Sequence, residues 1–273
     1  MEINFSKLYE SASPLVVALT ILYRYAKAGN TAAYDKFKEL FEDEIYDLLD
    51  DASTNRGNAF ILACDLLSFD DFTKVCDYYV SDVIDGIVDI FDVCPDSFII
   101  EHQDYFKDYY SDEDDLKDCL LGRDFSDDIF EMGANPDEIG FKVPEEDHLL
   151  GNIPQCTYYD LAYYAAYYDA KNGSNEALLY FNNLCKDPSQ IMYLCNNAHV
   201  VIDEIRILLD GPKIIELLKF WYSMKDKEPF FKSITNQNEG ALLYNAFMED
   251  SFGKDFYERN KNELEAAGMK PEA

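Results

Sequence analysis

Aspartate is the reactive side chain this sequence supplies in quantity. Asp82, Asp85, Asp89, Asp92 and Asp96 recur every three or four residues, the spacing that places side chains on one face of a helix. Asp104, Asp108, Asp112 and Asp115 continue the habit, and Asp124, Asp127, Asp128 and Glu131 repeat it. Carboxylates in such rows could act as general acid and base, bind a hard cation, or present a fixed negative field. Acid/base pairs are so abundant that no single pair is informative. Calcium is the cation to weigh at Asp112-Glu113-Asp114-Asp115, but Leu116 and Lys117 break the EF-hand spacing and no glycine follows. The negative field remains.

That field is large and uneven. The 273 residues carry 54 Asp/Glu against 23 Lys/Arg, a formal net charge of −31. Between Glu42 and Asp147 there are 32 acidic residues and 6 basic ones, so this stretch holds −26 of the total. Like charges at helical spacing destabilise a helix, and solvation alone would be served as well by mixed signs. One reading is a solvated face. The other is a docking surface, a row of carboxylates that imitates a phosphate backbone and occupies a basic groove. Its candidate residues are Asp82, Asp85, Asp89, Asp92, Asp104, Asp108, Asp112, Asp115, Asp127 and Asp128. Tyr78, Tyr79, Tyr105, Tyr109 and Tyr110 lie among them as candidate anchors.

Other chemistry finds no footing. There is no HExxH, P-loop or GxSxG pattern. His102, His148 and His199 lie far apart without ligand spacing; His148, beside Asp147, is the one candidate base. The seven cysteines (64, 76, 94, 119, 156, 185 and 195) include no CxxC pair and mostly sit among apolar neighbours, as buried thiols in a reducing compartment do. No enzyme, metal or cofactor is expected. The acidic balance argues against direct binding of nucleic acid or of an anionic membrane, and favours a basic protein. The opening MEINFSKLYESASP lacks a basic run followed by an apolar core, so a secretory leader is not expected. The longest apolar run, Leu15 to Tyr23, falls short of a membrane span. A cytoplasmic protein is expected.

Something must hold the acids in place, and a repeat supplies it. Residues 13–40 and 157–184 align without a gap at an offset of 144, matching at Ala18/Ala162, Tyr23/Tyr167, Ala26/Ala170, Lys27/Lys171, Gly29/Gly173, Ala33/Ala177, Phe37/Phe181 and Leu40/Leu184. Each reads as helix, glycine turn, helix. Further helices are expected at 34–48, 59–67, 72–79, 83–93, 97–110, 114–121 and 126–132. After a connector at 133–156 punctuated by Gly and Pro, more follow at 188–198, 200–209, 214–224 (after a Gly211-Pro212 break), 240–248 and 252–267. No stretch alternates with period two. The expected fold is all-α: an acidic helical lobe at 1–132, the connector, and a helical-hairpin lobe at 157–273.

Four helix starts carry a family resemblance: Ser13-Pro14-Leu15-Val16-Val17-Ala18, Asn58-Ala59-Phe60-Ile61-Leu62-Ala63, Thr157-Tyr158-Tyr159-Asp160-Leu161-Ala162 and Ala241-Leu242-Leu243-Tyr244-Asn245-Ala246. Gly133-Ala134-Asn135-Pro136 and Ala267-Gly268-Met269-Lys270-Pro271 look like the turns that follow second helices. Together they resemble a degenerate ankyrin repeat. The family's His is missing from all four starts, and the starts at 13, 58, 157 and 241 do not keep its 33-residue period. The resemblance implies an irregular helical-repeat array and protein–protein binding, and carries over no catalytic residue.

Two functions follow as expectations. The first is an acidic inhibitor that covers a basic groove of a nuclease or nucleic-acid-handling complex, as an immunity protein or a phage-encoded antagonist of a defence complex would. The second is an ankyrin-like scaffold or adaptor that binds a protein through Tyr158, Tyr159, Tyr163, Tyr164, Tyr167 and Tyr168, with the acid serving solubility.

Overall fold

Ser13 starts the first helix by accepting a hydrogen bond from the Val16 N–H through its hydroxyl, with Pro14 at the first helical position, where a missing N–H costs nothing. Helix α1 (Pro14–Lys27) then buries Leu15 through Tyr23 and Tyr25. A helix apolar all round must be covered on all sides. Even Thr20 is buried, its hydroxyl donating to the Val16 carbonyl at 2.8 Å. The computed structural model describes residues 3–5, 13–50, 56–84, 86–107, 109–121, 130–133, 153–187, 205–224 and 251–266.

Most of these residues are helical. In chain order they form α1, α2 (Thr31–Asp43), α3 (Ile45–Asp50), α4 (Arg56–Leu66), α5 (Phe69–Asp82), α6 (Gly86–Val93), α7 (Asp96–Glu101), α8 (Gln103–Phe106) and α9 (Glu113–Leu121). A 3₁₀ turn (Ile153–Gln155), α10 (Tyr158–Lys171), α11 (Asn175–Leu184), α12 (Gly211–Met224) and α13 (Ser251–Ala266) follow. No described helix is long and apolar enough to cross a membrane. The chain divides into two compact units, Met1–Ala162 and Tyr163–Ala273.

In the first unit α1 packs on α2 and α4, and α5 packs on α2, α3 and α6. Its core is aromatic. Phe41 meets Phe60 edge-on at 4.9 Å, and Phe72 meets Phe98 in the same way at 4.9 Å, the geometry that ring quadrupoles favour. In the second unit Tyr163 packs on Phe181 at 4.9 Å, and Lys219 of α12 pairs with Glu263 of α13 at 2.5 Å.

The two aligned hairpins share their turn in atomic detail. The Gly29 N–H donates to Ala26 O and the Asn30 N–H to Tyr25 O; Gly173 donates to Ala170 O and Ser174 to Asp169 O. This double bond pattern closes a helix through a left-handed residue, and Gly29 and Gly173 have φ of +96° and +103°. The next residue, Asn30 or Ser174, caps the following helix by accepting from Ala33 or Ala177 N–H. The ammonium groups of Lys27 and Lys171 each lie 5.7 Å from the ring of Tyr23 or Tyr167.

Several expected helices come out differently. Residues 97–110 are not one helix but two, α7 and α8, parted at His102, which has left the helical region at φ −114°, ψ 34°. Residues 83–93 do not start a helix at Val83: Val83 and Ile84 form a turn and α6 begins at Gly86. Gly211-Pro212 opens α12 rather than breaking the chain, because Asp210 caps it through the Lys213 N–H and Pro is tolerated in a first turn. Of the helix expected at 126–132, residues 126–129 lie outside the described residues and Phe130–Gly133 is a strand, paired in parallel with Ile3–Phe5 and bulged between Asn4 and Phe5. Strands of three and four residues are too short to show a period. Residues 134–152, most of the expected connector, and the helices expected at 188–198 and 240–248 lie outside the described residues, as does half of the one at 200–209.

Candidate functional site

The aspartates were expected in rows along single helix faces. Asp82 instead ends α5, while Asp89 and Asp92 ride on α6. Gly86 stands at the break. A Cβ there would lie 3.2 Å from the Tyr79 ring and from the Val80 backbone, so the chain packs back on α5 at a close approach that glycine makes easiest.

The doubling back brings Asp82 and Asp89 to one cluster of rings. The Tyr46 hydroxyl, from α3, donates to Asp82 Oδ2 at 3.0 Å, and the Tyr79 hydroxyl donates to Asp89 Oδ2 at 2.8 Å. Tyr46 in turn meets Tyr79 at 5.1 Å and Tyr78 at 6.1 Å, nearly perpendicular to the latter. Burial first, then the bond to Asp82, raises the Tyr46 hydroxyl above its ordinary range, which keeps it a donor.

The same pairing recurs through the first unit. Tyr23 donates to Asp65 at 2.5 Å, Tyr34 to Asp71 at 3.0 Å and Tyr105 to Asp77 at 3.2 Å. A tyrosine hydroxyl orients a carboxylate without neutralising it, so the molecule ties its helices together and keeps its charge. Two of these carboxylates also take a lysine, Lys27 on Asp65 and Lys38 on Asp71; other lysines pair with acids that no tyrosine holds, Lys36 with Glu39 and Lys117 with Glu113 and Asp114. Among the described residues, none of Asp82, Asp89, Asp104, Asp112 and Asp115 is ion-paired with a lysine or arginine. Asp71 is heavily bonded, taking Lys38 at 2.5 Å, Ser68 at 2.9 Å and Tyr34. These bonds, Lys38 foremost, pull its pKa down to about 2.

The other candidates separate by role. Asp92 and Asp104 are exposed. Asp112 and Asp115 build the start of α9: Asp112 Oδ1 accepts from the Asp114 and Asp115 N–H groups, and Asp115 Oδ2 accepts from the Ser111 N–H and hydroxyl. Those bonds from Ser111 hold the Asp115 carboxyl below its usual range. Both are cap residues first, because a helix start leaves N–H groups that need acceptors. Asp85, Asp108, Asp127 and Asp128 lie outside the described residues.

The expected aromatic anchors are mostly taken up by packing. Tyr79 and Tyr110 are buried and Tyr105 and Tyr109 half-buried; Tyr78 is 61% exposed. The six tyrosines of the alternative surface fare no better: Tyr163 and Tyr167 are core, and Tyr158, Tyr159, Tyr164 and Tyr168 are half-buried. Two residues passed over in the sequence stand out. Tyr46 carried no motif and is found only through the fold. Ile84 reads as a core position of a helix, yet in the turn it is 91% exposed.

Groups with reactive side chains are otherwise tied into the packing. The ring of His102 stacks on Phe69 at 3.9 Å; His148 and His199 lie outside the described residues. Cys64 Sγ lies 3.9 Å from Cys94 Sγ, and burial pushes the Cys64 and Cys76 thiols well up, away from the thiolate that reacts. No group of three or more His, Cys, Asp or Glu among the described residues is arranged to hold a metal ion. Comparison with protein-family models, curated proteins and solved structures found no match.

Proposed function

We propose that this protein is an acidic, protein-binding inhibitor that lays a carboxylate-rich surface of its first unit over a basic groove in its partner. A nuclease or another nucleic-acid-handling complex presents such a groove, and the roles of immunity protein or anti-defence antagonist fit. In this reading the helices are an irregular, ankyrin-like hairpin array in two lobes, whose task is to keep the acids in register. The shared turn, cap and Lys–Tyr geometry of the hairpins at 13–40 and 157–184 supports the array.

One observation carries the docking role. Asp82 and Asp89 are held by tyrosine hydroxyls rather than by cations. Their positions are fixed while their charge stays available, as complementarity to a cationic surface requires. Helix α6 adds the exposed Asp92 close by in sequence.

The test is capture from lysate on the immobilised full chain at low and high salt, followed by affinity measurement on the captured protein. Wild type is compared with a variant in which Asp82, Asp85, Asp89 and Asp92 are all Asn. Asn keeps an acceptor for Tyr46 and Tyr79 and removes only the charge. A basic captured protein whose affinity falls steeply with salt, and is lost in the variant, is the expected result. Affinity unchanged in the variant rejects the proposal.

A further inference from the structure

Tyr78 presents an exposed ring. A tyrosine left 61% in water on the face that carries Asp82 is an uncovered apolar surface inside an acidic rim. Its four companions in the sequence are buried or half-buried. Tyr46 stands nearly perpendicular beside it, at 86°, and holds Asp82 through its hydroxyl. Ile84, two residues beyond Asp82, adds a second uncovered apolar side chain at 91% exposure.

Charge complementarity names the occupant. Asp43 and Asp47, exposed on either side of Tyr46 in the sequence, deepen the negative potential there. Glu44, between them, has its carboxyl raised by burial first and then by Asp47 and Asp43. The site therefore suits a cation that also has a flat, weakly hydrated face. Arginine has both: its guanidinium stacks on aromatic rings and forks onto a carboxylate, whereas lysine is a compact, strongly hydrated charge. Asp82 has room for the fork, since one hydroxyl bond leaves most of the lone-pair sites of a carboxylate open.

We propose that Tyr78, Tyr46 and Asp82 form the anchoring point of the interface, taking an arginine side chain of the basic partner against the Tyr78 ring and the Asp82 carboxylate. The exposed Ile84 offers apolar surface to the rest of that segment. The inference rests on the docking reading above and narrows it to one spot and one side chain.

The experiment titrates the full chain with fluorescently labelled octa-arginine and octa-lysine peptides at low salt, reading anisotropy. Wild type is expected to bind octa-arginine more tightly than octa-lysine. Tyr78→Ala is expected to weaken octa-arginine about two- to fivefold, the scale of an exposed cation–π contact, and to erase the preference. Tyr78→Phe keeps the ring and is expected to keep the preference. A double variant Asp92→Asn/Asp104→Asn is expected to weaken both peptides alike and leave the preference intact. An arginine preference that survives Tyr78→Ala overturns the anchor. Equal, salt-sensitive binding of both peptides by wild type also overturns the anchor while leaving the acidic docking surface standing. Binding of neither peptide overturns both.

Discussion

Tyr46 on α3 donates its hydroxyl proton to Asp82 at the end of α5, 3.0 Å away across 36 residues of sequence. The bond ties two helices together and aims a carboxylate outward without discharging it. Tyr105–Asp77 and Tyr79–Asp89 repeat the device, and at Tyr23–Asp65 and Tyr34–Asp71 a lysine joins the tyrosine. A chain with 21 tyrosines, 54 acids and only 23 lysines and arginines cannot satisfy its carboxylates with cations. The phenols do part of that work, and the consequences are testable.

Asp71 sets an acid-sensitive window. Lys38, Ser68 and Tyr34 lower its pKa from the ordinary 3.8 to about 2. A carboxyl depressed by folding contributes stability that is present above its unfolded value and lost as pH falls through the folded one. Urea unfolding from pH 5 to pH 2 should therefore show wild type losing stability between about 4 and about 2. The Asp71→Asn variant should start lower and fall less over that interval.

Gly86→Ala tests the turn that assembles the site. The added Cβ meets the Tyr79 ring and the Val80 backbone at 3.2 Å, and backbone cannot move aside as a side-chain tip can. Denaturant unfolding should show a loss of about 1–3 kcal/mol, the range for overpacking. Octa-arginine affinity should fall as well, because α6 carries Asp89 away from Tyr79.

Gly29→Ala and Gly173→Ala probe the shared hairpin turn. Nothing lies within 4 Å of the new Cβ at either position, so the cost is conformational alone. It should be about 1–2 kcal/mol at each site by denaturant unfolding, the penalty for a left-handed non-glycine residue. Similar values at the two sites are expected from their matching φ; a neutral substitution at either would contradict the assigned turn.

Both hairpins were legible in the sequence because their signals are local. Gly29 and Gly173 mark a left-handed turn, and Asn30 and Ser174 the caps behind it. Ala18/Ala162 and Phe37/Phe181 mark the buried faces. The site was only half legible. Asp82 and Asp89 were found by spacing, but the helix that spacing implied does not exist. Helical periodicity runs unbroken through Val83 and Ile84, and the close approach of Gly86 to Tyr79 and Val80 arises only in the packing. Tyr46 was invisible for a related reason: its partner is 36 residues away. Asp112 and Asp115 show the reverse error. An acid that caps a helix and an acid that waits for a partner look alike in sequence, and only the N–H groups around them tell the two apart.

The most direct measurement of the docking claim compares two variants of equal net charge. Asp82→Asn/Asp89→Asn removes the two tyrosine-held charges; Asp255→Asn/Glu258→Gln removes two exposed acids of α13. Octa-arginine affinity is measured for both across a salt series. If the held carboxylates form the docking surface, the first variant should bind about tenfold more weakly than wild type with a shallower salt slope, and the second should match wild type. Equal weakening by the two variants would mean that the protein attracts cations only through its bulk charge, and would contradict the account.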